Sequence, residues 1–193
     1  TEGKQERQQF AERMATVYFA NYGKIVGLLG LPAEGTPSTT IIIFHEDLRH
    51  PAHASGNKIN INLAHLRRDP SDTEGLFVHE LCHVIQSFRP GTPSWFTEGS
   101  ADFIRFKVFP DSHWAKVNRK HQTDKNQPFG HYWKSTAFLL WMEERSGKPI
   151  IAEVSRLSRS GNYNEAIWKK LTGNTLAELA DEYAKATWEP PLK

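Results

Sequence analysis

The apolar positions in the first third of the chain predict helix first and strands afterwards. Between residues 4 and 29 they recur at helical spacing, which indicates one or two opening helices. The β-branched run at 39–44 follows a loop rich in Gly, Pro and Ser and predicts a buried strand. Segments 51–54 and 58–63 flank a turn signal at 55–57, so we expect them to pair as a hairpin.

Two helices with start signals of their own follow the strands. Ser71 and Glu74 have the spacing of a capping box, which predicts a helix N-terminus at this point. Thr92 provides a hydroxyl for an N-cap and Pro93 suits the first helical position, so a second helix should begin there. Apolar residues fill much of the helix that begins near Ser71, which is typical of a central, largely buried helix. We expect the two helices to span about 71–88 and 93–108.

The remaining sequence is mainly helical in pattern. The polar stretch 111–128 has no clear period and indicates mostly loop. Strands early and helices late favour an α+β fold, with a small sheet packed on helices, over an alternating doubly wound fold. We interpret 1–193 as one domain, with an N-terminal subdomain of about 1–90 and a helical C-terminal subdomain of about 91–193. Further helices are predicted at about 132–146, 150–159, 164–171 and 175–187.

Charge and cysteine usage narrow the class of protein. Lys and Arg number 24 and Asp and Glu number 22, so the net charge of +2 disfavours nucleic acid or an acidic membrane as partner. The single cysteine, Cys82, excludes an internal disulfide framework. No apolar run approaches the roughly 18 residues that cross a bilayer. Residues 1–9 are polar, so a secretory signal, if one existed, was removed before this numbering begins.

The segment His79-Glu80-Leu81-Cys82-His83 is the strongest chemical signal in the chain. On a helix, residues four apart share a face, so the two imidazoles can reach one ion with the glutamate beside them. This HExxH arrangement suits zinc, which accepts neutral imidazole. Chance spacing is the alternative, but these polar groups lie in an apolar helix, where burial without partners is costly. Cys82 points away from the histidines and is expected to pack in the core.

A third metal ligand is predicted on the following helix. Glu98 and Asp102, also four apart, form an ExxxD pattern and can face the same point. We expect Glu98 to ligate one catalytic Zn²⁺ and Asp102 to accept a hydrogen bond from the far nitrogen of a ligand histidine, which fixes its tautomer. Taken singly, a surface carboxylate and a local cap are the simpler interpretations. Taken with the HExxH segment, the zinc interpretation is favoured.

Peptide-bond hydrolysis is the reaction that these groups favour. Zinc lowers the pKa of its bound water to about 7, so Glu80 can act as the general base that accepts the water's proton and passes it to the leaving amine. The oxyanion also needs a donor, for which Tyr132 is the leading candidate and His131 the second. A packed aromatic ring and a surface imidazole are the alternatives for these two positions.

Several segments resemble the basic secretory protein family of plants and bacteria, peptidase-like zincins. The resemblance runs from about Pro51 to Tyr183, which is most of the chain. It rests on HELCHVIQ at 79–86, EGSADFIR at 98–105, the segment 130–141 with Tyr132 and Phe138-Leu139, and LTGNTL at 171–176. The first two motifs are specific jointly, and the other two support them. The slight basicity and single cysteine differ from the plant members and indicate a microbial relative.

The resemblance implies a secreted, zinc-dependent protein with a gluzincin-like fold of the zincin type. We expect a small N-terminal mixed sheet with the active-site helix, a mainly helical C-terminal part and a cleft between them. Tyr132 matches a transition-state donor. Ala52–Ser55 would form the edge strand beside the cleft, so the backbone around His53 and Ala54 is expected to contact an extended substrate peptide. An ordinary hairpin arm is the alternative.

Rival functions stay open at this point. One is a zincin-fold binding or defence module without general proteolytic turnover, against which the intact Glu80 speaks. Others are a peptidase restricted to a specialised substrate class and a structural domain without metal. We expect a zinc metallopeptidase, an endopeptidase acting as a monomer on peptide or protein substrates, with neither nucleic acid nor membrane as partner.

Overall fold

The computed structural model describes residues 2–121, 125–130 and 132–189. After one long opening helix, three strands come before the remaining helices, and this separation confirms the predicted α+β class. No helix within these ranges is both long and apolar enough to cross a membrane. The elements are α1 (Glu2–Leu28), β1 (Ile41–His45), β2 (Ala52–Ser55), β3 (Lys58–Asn62), α2 (Leu63–Arg68), a 3-10 turn (Pro70–Asp72), α3 (Thr73–Gln86), α4 (Ser94–Val108), α5 (His113–His121), α6 (Tyr132–Ser146), α7 (Ile150–Ser160), α8 (Ala166–Thr172) and α9 (Leu176–Lys185).

The sheet is small and mixed, with its strands in the order β1-β3-β2. Strand β3 pairs in parallel with β1, where Ile41 lies opposite Lys58, and antiparallel with β2, where Ala52 lies opposite Ile61. Ile59 and Ile61 are fully buried and alternate with less buried polar residues, as a half-buried strand requires. The predicted hairpin is confirmed, and within the described residues β2 forms one edge of the sheet.

Helix α3 lies at the centre of the core. Nearly every one of its residues is buried, and it packs against α1, β2 and α4. A helix that is apolar almost all round is stable only inside the protein. His79 and Glu80 therefore lie in surroundings where polar groups need partners.

Helices α4 and α6 approach each other closely at Gly99. A Cβ at this position would lie 2.6 Å from the Cβ of Ser135 and 3.2 Å from Leu139 Cδ1, so only glycine fits. Because Gly99 has no side chain, its backbone is accessible to α6, and the Thr136 hydroxyl donates a hydrogen bond to the Gly99 carbonyl at 3.0 Å. This contact fixes α4, which carries Glu98, against the first turns of α6.

The prediction of loop at 111–128 was wrong where helix α5 lies. Ser112 Oγ accepts a hydrogen bond from the Ala115 amide at 3.2 Å, which caps the helix start. Ala115 is buried, and the Trp114 ring packs on the guanidinium of Arg105, 4.1 Å from ring centre to Cζ. The helix contains only three apolar residues, Trp114, Ala115 and Val117, so its polar composition favoured a loop in the prediction.

The predicted capping box at the start of α3 does not form. Ser71 instead donates to Oδ1 of Asp69 at 2.7 Å, and Glu74 accepts from Arg13 Nε at 2.8 Å. The helix begins at Thr73, after the 3-10 turn. The glutamate side chain has thus paired with α1 rather than with the local backbone.

The start of α4 and the end of β3 also differ from the prediction. The Thr92 hydroxyl donates to the Arg89 carbonyl at 3.1 Å, so it is no N-cap, and Pro93 takes the N-cap position. Helix α2, which was not predicted, follows β3 directly. Its N-cap is Asn62, whose side chain accepts from the Ala64 amide at 2.9 Å.

A buried arginine joins α4 to the start of α3 and to α5. Arg105 forms an ion pair with Asp72, and its Nη1 lies 3.8 Å from Asp102 Oδ1. A Cβ at Gly75 would lie 2.9 Å from Arg105 Nε, so glycine leaves room for the side chain. Burial raises the pKa of the Asp72 carboxyl even beside the guanidinium. Because the two side chains are largely removed from water, each depends on the other to balance its charge.

Replacing Arg105 with methionine should lower the free energy of unfolding by about 3–5 kcal/mol, because Asp72 loses its partner in a mostly buried position. Arg13→Met is the matched control. Its pair with Glu74 is 40% and 31% exposed and should contribute only about 0–1 kcal/mol. Urea unfolding followed by circular dichroism measures both losses. Equal losses in the two variants would contradict the role given to Arg105.

Candidate metal centre

Helices α3 and α4 bring three electron-rich side-chain atoms together. His79 and His83 lie one turn apart on α3, with 3.1 Å between their Nε2 atoms. Glu98 on α4 places its Oε2 atom 3.3 Å from His79 Nε2 and 3.2 Å from His83 Nε2. These three residues form a group that can hold a metal ion.

The spacing of the three atoms fits a small ion with nitrogen and oxygen ligands. Zn²⁺ binds imidazole N and carboxylate O at about 2.0–2.2 Å in tetrahedral geometry, which puts neighbouring donor atoms about 3.3–3.6 Å apart. The observed separations of 3.1–3.3 Å form a nearly equilateral triangle whose edges reach the lower limit of that range or fall up to 0.2 Å below it. The donor set therefore fits zinc, and three protein ligands leave a further coordination position.

Each imidazole is also held through its far nitrogen. His79 Nδ1 lies 2.7 Å from Oδ1 of Asp102, which is buried on α4. A carboxylate can only accept, so His79 Nδ1 donates, and in the neutral ring Nε2 keeps its lone pair for a metal. The structure thus brings Asp102 to a histidine of the HExxH segment. His83 Nδ1 lies 2.8 Å from Oε1 of Gln86.

The electrostatics of the centre favour a positive charge among these side chains. Burial by itself would lower the pKa of His79, but the charge and hydrogen bond of Asp102, aided by Glu98 and Glu80, raise it to about 10. Burial also opposes the ionised form of Glu98, yet hydrogen bonds from His79 and His83 lower its pKa to about 2. Side chains that favour a proton in this way also form an electrostatic setting that suits a cation.

A cleft with a volume of about 610 Å³ lies beside the three residues. Glu80, which is only 6% exposed, lines this cleft next to His79. His53 and Ala54 of the edge strand β2 also line the cleft. Tyr132, the first residue of α6, also lines the cleft; it is 52% exposed, and its ring centre lies 5.9 Å from that of His79. These four predicted site residues therefore border one cleft.

Some residues of the centre were not singled out by the sequence analysis. Gln86 stands three residues after His83, and this helical spacing was the available signal. Arg105 and Trp114 also line the cleft, although nothing local in the sequence indicates it. Cys82 is fully buried and takes no part in the metal-binding group. His131, the second candidate donor, lies outside the described residues.

Comparison with known proteins identifies the kind of chain to which this site belongs. The model of a family described as peptidase of plants and bacteria matches residues 8–183. A search of curated proteins and a search of solved structures each found no match. The matched span contains helices α3 and α4 and every cleft residue described above. The resemblance inferred from the motifs is confirmed, and the chain belongs to the family of peptidases of plants and bacteria.

Proposed function

We propose that this peptidase depends on one Zn²⁺ held by His79, His83 and Glu98, as in gluzincins. The observation that carries the proposal is the triangle of donor atoms with edges of 3.1–3.3 Å. Two imidazoles and a carboxylate form a ligand set that zinc peptidases use, and it leaves one position open. Family membership supports cleavage of peptide bonds.

Glu80 is the proposed general base. When bound, the ion supplies a Lewis acid that acidifies water and polarises the scissile carbonyl. The Glu80 carboxylate, buried at the cleft wall beside His79, accepts the proton of the attacking water and then gives it to the leaving amine. One carboxyl group can perform both transfers, because it is ionised again once it has given the proton to the amine.

Tyr132 is the proposed donor to the oxyanion that develops on the substrate. Its side chain is exposed at the cleft, which leaves the hydroxyl able to reach a bound peptide. The charge of Glu98, together with partial burial, raises the pKa of the phenol. Tyr132 therefore keeps its proton at neutral pH and can donate it in a hydrogen bond.

The proposed substrate is an extended peptide that lies along β2. This strand pairs with β3 on one side and borders the cleft, so the backbone around His53 and Ala54 is positioned to add the substrate as a further strand. Main-chain pairing of this kind accepts many side chains. It supports an endopeptidase, since an extended chain can continue past the centre in both directions.

The wider biological setting is also a proposal. The small mixed sheet, the buried helix α3 and the adjoining cleft support a zincin-type fold. We propose a single catalytic domain that acts outside the cell as a monomer, without nucleic acid or membrane as partner. The net charge of +2 supports the exclusion of nucleic acid and membrane as partners, because it provides no strong field for polyanions.

His83→Ala should retain little zinc after dialysis, because it removes one of three ligands. His113→Ala is the control, since His113 is exposed and lies outside the cleft. Atomic emission analysis of the purified proteins measures the zinc content. A full complement of zinc in His83→Ala would contradict the ligand assignment.

Glu80→Gln should bind zinc like the wild type but lower kcat by about 10²–10⁴-fold, because the amide cannot accept the proton. Digestion of a mixed peptide library, with and without a chelator, measures turnover. Glu46→Gln is the control, because this exposed carboxylate directly follows β1 and pairs with Arg67. Unchanged hydrolysis would remove Glu80 as base, and a wild type that binds zinc without cleaving peptides would favour a binding module.

Tyr132→Phe should lower kcat by about 10²–10³-fold while changing KM much less, since the hydroxyl acts mainly in the transition state. Tyr18→Phe is the control, because its hydroxyl donates to the Ser38 carbonyl and the residue is not among those that line the cleft. Steady-state kinetics on one peptide identified in the library measures both constants. Wild-type kinetics in Tyr132→Phe would place the donor elsewhere.

A further inference from the structure

The side-chain amide of Gln86 lies between the HExxH helix and α4. Gln86 ends α3 and is only 1% exposed. Its Nε2 atom lies 3.1 Å from the Thr97 carbonyl oxygen and 2.8 Å from Ser100 Oγ. Its Oε1 atom lies 2.8 Å from His83 Nδ1. All the polar atoms of this amide are therefore engaged inside the protein.

The partners of the amide determine its orientation. The Thr97 carbonyl can only accept, so the atom that faces it must be the NH₂ group. The Ser100 hydroxyl donates to the Phe96 carbonyl at 2.6 Å, which leaves it free to accept from Gln86. Oxygen and nitrogen of an amide are thereby distinguished by chemistry, and Oε1 must face the imidazole of His83.

This orientation fixes the tautomer of His83. An amide oxygen accepts, so His83 Nδ1 must carry the proton, and in the neutral ring Nε2 is left with a lone pair. The opposite tautomer would bring a ring lone pair to 2.8 Å from Oε1. Gln86 therefore holds the proton of His83 on Nδ1 with a neutral amide, and Asp102 holds that of His79 on Nδ1 with a charged carboxylate.

The same amide also holds the turn of α4 that carries Glu98. Thr97 and Ser100, which accept its two hydrogen bonds, stand on either side of Glu98 in the sequence. One face of the amide thus fixes the His83 ring, and the other fixes the backbone from which Glu98 projects. A carboxylate at position 86 could accept from His83 but could not donate to the Thr97 carbonyl, so glutamine alone meets both demands.

We infer that Gln86 is a positioning residue that aligns two of the proposed ligands, His83 and Glu98, and so sets the affinity of the centre for zinc. The inference rests on the proposed metal centre. Gln86 is not among the residues that line the cleft, and it acts through its neighbours. Groups that orient metal ligands in this way each contribute about 10–100-fold to metal affinity.

Gln86→Met tests this role, because methionine has nearly the same length and none of the hydrogen bonds. Competition with a chromophoric chelator, using Zn²⁺ as the only metal, should show affinity about 10–100-fold weaker than that of the wild type. In ¹⁵N-edited NMR spectra of the zinc-loaded protein, the slowly exchanging Nδ1 proton of His83 should disappear while that of His79 persists.

Val84→Ala provides the matched control. Val84 is buried on the same helix, and truncating it should destabilise the fold while leaving zinc affinity within about threefold of the wild type. Thermal unfolding of all three metal-free proteins places the variants on one stability scale. If Val84→Ala weakened zinc binding as much as Gln86→Met, Gln86 would have only a structural role.

Ser100→Ala keeps the bond between Gln86 and His83 and removes one of the two bonds from Gln86 to α4, so its affinity for zinc should lie between those of the wild type and Gln86→Met.

The outcomes separate the proposed metal centre from the proposed role of Gln86. A wild type that binds no zinc would overturn the metal centre itself. A wild type that binds zinc, together with a Gln86→Met variant that binds it as tightly and keeps the His83 proton signal, would overturn this inference alone.

Discussion

Three electron-rich atoms held within 3.3 Å of one another are the constraint on which the rest of the structure depends. Two imidazole nitrogens and a carboxylate oxygen do not remain together in a partly buried place unless positive charge joins them. The raised pKa of His79 and the lowered pKa of Glu98 are two signs of the same demand. A divalent cation meets that demand more fully than a proton, because it can bind all three atoms at once.

The packing around the centre holds α3 and α4 in a fixed position relative to each other. Gly99 allows α6 to press on α4, Arg105 draws α4 towards the start of α3, and Gln86 joins the two helices directly. Gly99 and the partners of Gln86 lie in the turn of α4 that carries Glu98, and Arg105 lies nearer the end of the helix. Their combined effect is that Glu98, on a helix separate from the histidines, has little freedom to move away from them.

The sequence predicts well what depends on short spacing and poorly what depends on tertiary contact. His79, Glu80 and His83 lie within one helical turn, and Glu98 with Asp102 within another, so their grouping can be read locally. The hydrogen bond of Gln86 to the Thr97 carbonyl depends on where α4 lies, which no local pattern reveals. Helix α5 was missed for a related reason, since the packing of Trp114 on Arg105 joins segments that the sequence does not show to be neighbours. The capping box was wrong because Glu74 found a partner on α1.

The close contact at Gly99 has a consequence for synthesis of the protein. The histidines and Glu98 are synthesised before α6, yet the surface that packs α4 into place belongs to α6, through Ser135 and Thr136. Until that segment has emerged, the nascent chain lacks the support that holds Glu98 near the histidines. The proposed metal centre is thereby completed only after α6 has been synthesised and has packed against α4.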